Sequence, residues 1–366
     1  MNFSQFGGGT AVTATDSGGV WTATYTVTAG AIDTTTAHVA VTATDHAGNA
    51  TTTSGAAATV DDILPVVTAG HISLSGGTGI SGAFKIGDTV TATWNDSGTG
   101  DNNTDTINAG GVTMDFSQFG GGAAVVATAS GGVWTASYTI TAGAIDTTAA
   151  HVAVTVTDVV GNATTTSGAA VTADNEQPVV TTGNISLSGA TGAGGLFKIG
   201  DVVTATWNDS GTGDNNTDTI NAGGVTMNFS QFGGGTAVVA TDNAGVWTAT
   251  YTITVGTNDT STAHVAVTAT DFAGNATTAS SAAASVNDVA PVVTSIDTTS
   301  ATLTNASTVT YTVTFSEAVT GVNASDFTLT DTGGTTGTIA SVTAVSGSVY
   351  TVTVDNINGD GTMRLD

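Results

Sequence analysis

Apolar and polar residues alternate with a period of two along much of this chain. In HVAVTVTD (151–158), Val152, Val154 and Val156 fall on one face of an extended segment, and alanine and threonine occupy the other. Such alternation is typical of a half-buried β-strand. Leucine, glutamate and lysine, which favour helices, are scarce. The pattern therefore predicts an all-β protein.

Tryptophans fall on the apolar faces of two predicted strands, and a similar stretch further along the chain repeats both of them. VWTASYTI (133–140) carries Trp134, and DTVTATW (88–94) ends in Trp94. The next copy has Trp247 and Trp207 at the corresponding places. We expect these four side chains to fill the cores.

Glycine-rich and acidic turns separate about seven predicted strands. In the second copy they are A (65–74), B (84–94), C (111–119), D (123–129), E (133–140), F (150–158) and G (163–172). Seven short strands in about 100 residues without helices indicate an immunoglobulin-like β-sandwich.

The chain repeats itself at a constant interval. Met1, Met114 and Met227 each precede a nearly identical phrase, NFSQFGGG or DFSQFGGG. An interval of the length of one small domain predicts tandem immunoglobulin-like sandwiches in a linear array.

Boundaries are predicted just before the three prolines, Pro65, Pro178 and Pro291, because proline suits the first residue of a strand. The predicted units are 1–64, the C-terminal part of a repeat; 65–177 and 178–290, two complete repeats; and 291–366, a diverged and truncated repeat. Met1 would then occupy an interior repeat position, and we expect the chain to be an excerpt of a longer protein. We call the boundaries before 65, 178 and 291 the first, second and third junctions.

The charge balance excludes one class of partner. The net charge is −26 with only 3 basic residues, whereas nucleic-acid binding needs many lysines and arginines. No segment approaches the roughly 18 apolar residues of a membrane-spanning helix, so no membrane span is expected here.

The acidic residues are of one kind. All but Glu176 and Glu317 of the 29 acidic residues are aspartate, the acid of turns and hard-cation loops. Cysteine is absent, so disulfides cannot stabilise the modules. Bound calcium is the natural substitute.

Three acidic segments should meet at each junction, because the B–C and F–G loops return to the pole beside the preceding linker. Calcium accepts six to eight oxygen ligands from carboxylates, amides and backbone. The candidate metal ligands are Asp61, Asp62, Asp96, Asp101, Asn103, Asp105 and Asp158, then Asp174, Asn175, Glu176, Asp209, Asp214, Asn216, Asp218 and Asp271, and finally Asp288.

The acidic pattern is not that of an EF-hand, and it also allows an interpretation without a metal ion. Asp101, Asn103 and Asp105 alternate as in a cation loop, but the glycine and glutamate of an EF-hand are missing. The alternative is that these residues belong to solvated turns and lie apart in space, and the expected convergence of three segments favours the metal site. Asp33, Asp146 and Asp259, in the E–F loops, should lie at the opposite pole of their own module, where they face a junction from its other side.

Catalysis is not expected. His38, His151 and His264 recur at the mouth of strand F with no second ligand at zinc spacing, so we interpret them as strand-edge residues. The sequence contains no G-x-S-x-G nucleophile motif. Its glycines fall in turns, and none forms a phosphate-binding loop before a helix. The sequence favours a protein that is not an enzyme.

Three phrases, KIGDTVTATW (85–94), VTATDHAGN (41–49) and TVTFSEAVTGVNASDFTLT (312–330), resemble the bacterial immunoglobulin-like and cadherin-like repeats of large cell-surface adhesins, including biofilm and RTX-type adhesins. The resemblance implies calcium-stiffened junctions, an extender role and an extracellular, cell-surface location. In the last repeat it implies Glu317, Asn323 and Asp326 as analogous ligands.

Three functional hypotheses remain open. The first is the calcium-rigidified extender of an adhesin, with calcium as its partner. The second is a segment of a filament or surface layer whose modules associate with other copies or with surface and matrix components. The third is a carbohydrate- or ligand-binding module that uses exposed Phe116 and Phe119 with their copies Phe229 and Phe232.

Overall fold

A computed structural model describes residues 1–300 and 304–366. Within them the protein is all-β, and only short 3-10 turns interrupt the strands. The predicted fold class is confirmed, because the strands pair into facing antiparallel sheets with the order of an immunoglobulin-like sandwich.

Segment 1–64 forms three two-stranded sheets: β1 with β2, β3 with β6, and β4 with β5. A 3-10 turn at Ser4–Phe6 precedes them. The strands are β1 (Thr15–Ser17), β2 (Val20–Thr22), β3 (Asp33–Ala37), β4 (Ala40–Thr44), β5 (Ala50–Ser54) and β6 (Ala58–Asp61).

Segment 65–177 contains two four-stranded sheets and one two-stranded sheet. The four-stranded sheets have the orders β11-β12-β8-β7 and β10-β9-β14-β15, and β13 pairs with β16 at one end. Its 3-10 turns span Ala69–His71, Ile80–Gly82 and Ser117–Phe119. The strands are β7 (Ile72–Ser75), β8 (Thr89–Asn95), β9 (Ile107–Asp115), β10 (Val125–Val126), β11 (Thr128–Ser130), β12 (Val133–Thr139), β13 (Asp146–Ala150), β14 (Ala153–Asp158), β15 (Ala163–Ser167) and β16 (Val171–Asp174).

Segment 178–290 repeats this topology, with sheets β17-β19-β23-β22 and β21-β20-β25-β26. In addition, β18 pairs in parallel with β27, which also pairs with β24. Its 3-10 turns span Thr182–Asn184, Ala193–Gly195 and Ser230–Phe232. The strands are β17 (Ile185–Ser188), β18 (Phe197–Lys198), β19 (Val202–Asn208), β20 (Ile220–Asn228), β21 (Val238–Val239), β22 (Thr241–Asn243), β23 (Val246–Thr252), β24 (Asp259–Ala263), β25 (Ala266–Asp271), β26 (Ala276–Ser280) and β27 (Ala284–Asn287).

Segment 291–366 differs from the others. One sheet has the order β28-β29-β32-β31, and β30 pairs with β33. A 3-10 turn spans Ala324–Asp326. The strands are β28 (Val293–Thr298), β29 (Val309–Phe315), β30 (Leu329–Thr332), β31 (Thr336–Ala344), β32 (Val349–Asn358) and β33 (Thr362–Leu365).

Tryptophan pairs lie at the centre of the complete sandwiches. Trp94 of β8 is opposite Trp134 of β12, and Trp207 of β19 is opposite Trp247 of β23. Trp94 and Trp207 are fully buried, and Trp247 is nearly so. Trp134 is half-buried and packs against the same core. These positions agree with the predicted core.

The hypothesis that Phe116, Phe119, Phe229 and Phe232 are exposed is wrong. All four are buried in the cores. Each pair flanks a 3-10 turn whose following glycine has a positive φ, +84° at both Gly120 and Gly233. The tight turn directs both rings inward, where Phe119 packs edge-on against Phe84.

Several strand boundaries also differ from the prediction. Strand A is only Ile72–Ser75, predicted strand D divides into β10 and β11 on different sheets, and β13 and β16 form a pair that alternation did not indicate. Among the described residues, no helix is both long and apolar enough to cross a bilayer. The division of the chain at the prolines stays a prediction.

Candidate metal centre

Three aspartates meet at each of the first two junctions. Asp61 ends β6 in the linker, Asp105 lies in the loop between β8 and β9, and Asp158 ends β14. Their carboxylates offer oxygens that all lie within 4.8 Å of one another. The second junction has the same arrangement, formed by Asp174, Asp218 and Asp271. We call these groups the first and second aspartate clusters.

One member of each cluster is completely buried. Asp158 and Asp271 are both 0% exposed. Oδ1 of Asp158 accepts hydrogen bonds from the backbone N–H groups of Val160, Gly161 and Asn162, at 2.9, 2.7 and 2.9 Å. This turn fixes the orientation of the carboxylate, because the aspartate ends its strand where the chain reverses.

Several carboxylate oxygens in the clusters are buried without a hydrogen-bond partner in the described residues. They are Oδ2 of Asp105, Asp218 and Asp271. The other oxygen of Asp105 accepts from the N–H of Thr106 at 2.8 Å, and that of Asp218 accepts from Thr219 at 2.7 Å. A buried carboxylate oxygen without a partner is costly, and a cation would satisfy it.

The electrostatic cost appears in the pKa values. Burial raises the pKa of Asp174 to about 7; a backbone hydrogen bond opposes the shift, and the carboxylates of Asp271, Asp218 and Asp146 add to it. Burial is also the largest cause of the raised pKa values of Asp105 and Asp218. The clusters are therefore unfavourable places for three negative charges without a counter-charge.

An asparagine of the F–G turn ties each linker to the next module. Asn162 Nδ2 donates to the carbonyl of Asp61, and Asn275 Nδ2 donates to the carbonyl of Asp174, both at 3.3 Å. Asn275 also accepts from the N–H of Ile86, 189 residues earlier, at 2.9 Å. These bonds hold linker and turn together at the edge of each cluster.

Other predicted ligands are engaged elsewhere. Asp101 accepts from the indole N–H of Trp94 at 2.7 Å and from the N–H of Thr68 at 3.0 Å. It also lies 2.8 Å from Nδ1 of His71, a partner that the sequence analysis missed. Asp214 repeats the indole contact with Trp207 at 2.6 Å. The structure does not bring Asp101 or Asp214 into a cluster.

Asp96 and Asn103 form a second internal pair. Asp96 Oδ1 accepts from both nitrogens of Asn103, at 2.8 and 2.7 Å, and Asp209 does the same with Asn216 at 2.9 and 2.6 Å. These side chains shape the B–C loop, and the clusters do not contain them.

The second residue of each linker points back into the preceding module. Asp62 Oδ1 accepts from Ile32 N–H at 2.6 Å, Asn175 Oδ1 from Ile145 N–H at 2.7 Å, and Asp288 Oδ1 from Asn258 N–H at 2.6 Å. Each one therefore orders the E–F loop instead of joining a cluster.

Acidic residues of the preceding module add charge beside the clusters. Asp33 is opposite Asp61 in the β3–β6 pair, and Asp146 is opposite Asp174 in the β13–β16 pair. The expected place of these loops is the far pole of their own module, and that pole borders the next junction.

The third junction is different. Asn287 occupies the position of Asp61 and Asp174, and its Nδ2 donates to Oε2 of Glu317 at 3.3 Å. Asn323 and Asp326, the other ligands implied by the resemblance, form a capping box around the turn at Ala324–Asp326.

The repeated histidines lie at strand edges, as expected. His264 Nδ1 lies 2.8 Å from the carbonyl of Ser281, and His38 Nδ1 lies 3.0 Å from that of Gly55.

No protein-family model matches the chain, and no curated protein matches it in sequence. Similar solved structures include one described as a Ca2+-stabilized adhesin that helps an Antarctic bacterium reach out and bind ice, with 18% identity over 89% of this chain and 79% of that chain and a TM-score of 0.33. A marsupial T cell receptor has 12% identity over 81% and 96% and a TM-score of 0.32. Eight immunoglobulin domains of Down Syndrome Cell Adhesion Molecule have 10% identity over 87% and 44% and a TM-score of 0.23.

Proposed function

We propose that this chain is a structural, extracellular extender of an adhesin whose immunoglobulin-like modules are joined by a calcium ion at each of the first two junctions. The observation that carries the proposal is the meeting of carboxylates from a linker, a loop and a turn in each cluster. A divalent cation shared by all three ties the linker to the following module and neutralises their repulsion.

The residues that would hold the ions are the members of the two clusters. Three carboxylates supply too few oxygens by themselves, because calcium takes six to eight ligands at about 2.3–2.6 Å. Backbone carbonyls and water would complete the set. Asp62, Asp96, Asp101, Asn103 and their copies act as positioning residues, since their side chains already have partners within the module or linker.

A role in joining modules is supported by repetition. The same cluster recurs at the interval of the sequence repeat, each time between a linker and the module that follows it. A cation held between a linker and the following module would join the two, as a stiffened array of modules needs.

The experiment is a calcium titration of the chelator-treated chain by calorimetry, with small-angle scattering and thermal unfolding before and after. We expect one ion per cluster, a more extended particle and a higher melting temperature with calcium, because binding to the folded junction stabilises it. Asp158→Asn with Asp271→Asn should abolish binding. Asp297→Asn, an exposed aspartate outside both clusters, is the matched control.

Equal scattering curves and melting temperatures with calcium and with chelator would disprove the extender proposal. So would undiminished binding by the doubly substituted chain.

A further inference from the structure

The linker residue that contributes to the clusters is replaced at the third junction by a residue of the same shape and different chemistry. Asp61, Asp174 and Asn287 occupy the same position in successive repeats. In each, Oδ1 accepts a hydrogen bond from the backbone N–H two residues later, at 3.0, 3.0 and 2.9 Å. The same local turn therefore holds all three side chains.

This turn decides which atom the side chain presents to the next module. The N–H of Val289 requires an oxygen acceptor, so the amide oxygen of Asn287 must face it and Nδ2 must take the other position. Asp61 and Asp174 have a second carboxylate oxygen there. A hydrogen-bond donor thus replaces a negatively charged acceptor.

The donor has a carboxylate partner in the following segment. Asn287 Nδ2 lies 3.3 Å from Oε2 of Glu317, which comes two residues after β29 and is half-buried. The bond joins the linker to the segment after it, as the clusters do at the other junctions. Asp259, opposite Asn287 in the β24–β27 pair, is exposed.

The third junction offers a cation fewer carboxylate ligands than the two clusters do. In the described part of the chain, three acidic side chains gather only at the first two junctions. One half-buried carboxylate beside an N–H donor gives too few anionic oxygens for calcium. Oε1 of Glu317 is buried without a protein partner among the described residues. A hydrogen bond from one water molecule would satisfy this oxygen.

We propose that the Asn287–Glu317 hydrogen bond fastens the third junction without a metal ion. Resting on the proposed function, this makes the chain a mixed array: two junctions loosen when calcium is withdrawn, and the third keeps its geometry. Segment 291–366 then holds a constant orientation to the module before it at any calcium concentration.

The absence of native cysteine allows pairs of spin labels to be placed across one junction at a time. The exposed positions Thr51 and Ser137 span the first junction, Ser137 and Thr250 the second, and Thr250 and Ser341 the third. Pulsed-dipolar distance distributions are recorded with calcium and with chelator. We expect the first two pairs to lose their narrow distance peak in chelator and the third pair to keep it.

Substitutions at the linker test the bond itself. With Asn287→Asp, carboxylate repulsion replaces the hydrogen bond, so the third pair should lose its narrow peak in chelator. With Asn287→Ala the peak should be lost in both conditions. The exposed Asn243→Asp, in the same module and away from the junction, should leave all three pairs unchanged.

The outcomes separate the two proposals. A third pair that broadens in chelator as the others do overturns the metal-free junction and leaves the extender proposal standing. If no pair responds to chelator, the calcium role at the first two junctions fails, and the Asn287→Ala chain alone decides the bond: an unchanged third peak overturns it.

Discussion

At the residue scale, one buried aspartate outside the clusters holds the turn before β8, and another holds the turn before β19. Asp88 Oδ2 accepts from the N–H groups of Thr78 and Lys85, at 2.9 and 3.0 Å, and Oδ1 accepts from the Thr78 hydroxyl. Asp201 makes the same three contacts. Burial acts to raise both pKa values, but these hydrogen bonds outweigh it, and the pKa of each is lowered.

Asp88→Asn should destabilise segment 65–177 by about 1–3 kcal/mol, because an amide nitrogen cannot accept and at least one buried N–H or O–H donor loses its partner. Urea unfolding measures the change. Asp115→Asn is the control, since Asn2 and Asn228 make its turn contact in the other copies, and it should be neutral. Equal effects of the two substitutions would refute the assigned role of Asp88.

The lowered pKa values also predict how stability depends on acid. Since Asp88 and Asp201 have folded pKa values below the ordinary 3.8, the unfolded chain binds more protons than the folded one as the pH falls. Their contribution is fully present above that ordinary value and is lost as the pH falls through the folded pKa values. Urea unfolding at pH values below that ordinary value should show this loss. At higher pH the raised pKa values of Asp174, Asp105 and Asp218 act in the opposite direction, because the folded chain there binds protons more readily than the unfolded one. The chain with both Asp88→Asn and Asp201→Asn should show a weaker pH dependence.

At the scale of elements, a side chain replaces strand pairing at the start of each complete module. Val66 N–H donates to Asn103 Oδ1 at 2.7 Å, and Asn103 Nδ2 donates to the Val66 carbonyl at 2.9 Å. The amide thus pairs with the backbone as a neighbouring strand would. This contact holds the backbone at Val66 although strand β7 begins only at Ile72.

Removing this amide should loosen the segment between the linker and β7. We expect Asn103→Ala to cost about 0.5–1.5 kcal/mol for each hydrogen bond lost and to accelerate amide hydrogen exchange at Val66. The matched control is Asn243→Ala. Asn243 lies on the exposed strand β22, and its side chain has no hydrogen bond in the described residues. Unchanged exchange at Val66 would show that other contacts order the segment.

At the scale of the whole molecule, each of the two clusters consists of three aspartates, but the linker residues beside them differ. The residue two positions after the cluster aspartate is Ile63 at the first linker and Glu176 at the second. Glu176 contributes to the raised pKa of Asp218. Asn175 stands where the first linker has Asp62, so the two linkers carry the same number of carboxylates. Glu176 nevertheless acts directly on a cluster aspartate and should therefore strengthen the binding of a divalent cation at the second cluster.

Substitutions that exchange the residue types at positions 63 and 176 test this difference between the linkers. Glu176→Ile should weaken calcium binding at the second cluster, and Ile63→Glu should strengthen it at the first, as measured by calorimetric titration. Raising the ionic strength should reduce both effects only in part, because positions 63 and 176 are half-buried and salt screens such charges less than exposed ones. If Glu176→Ile leaves both affinities unchanged, the additional carboxylate takes no part in binding.

The sequence alone determined what depends on periodicity. Alternation gave the buried faces of β8, β12 and β14, and the regular repeat of the chain predicted that the acidic segments recur together. These features are local or translational, so they can be recognised without knowing which strands pair. The strand segments of the sandwich and the meeting of linker, loop and turn follow from them.

The tertiary structure decided which of the candidate ligands face one another. Asp101 and Asp105 belong to the same acidic loop. Asp101 accepts a hydrogen bond from the indole of Trp94, whereas Asp105 lies beside Asp61 and Asp158. Phe116 and Phe119 look exposed in a glycine-rich turn and are buried. A side chain's partners depend on turn geometry and on neighbours distant in sequence, and residue type and spacing do not specify these.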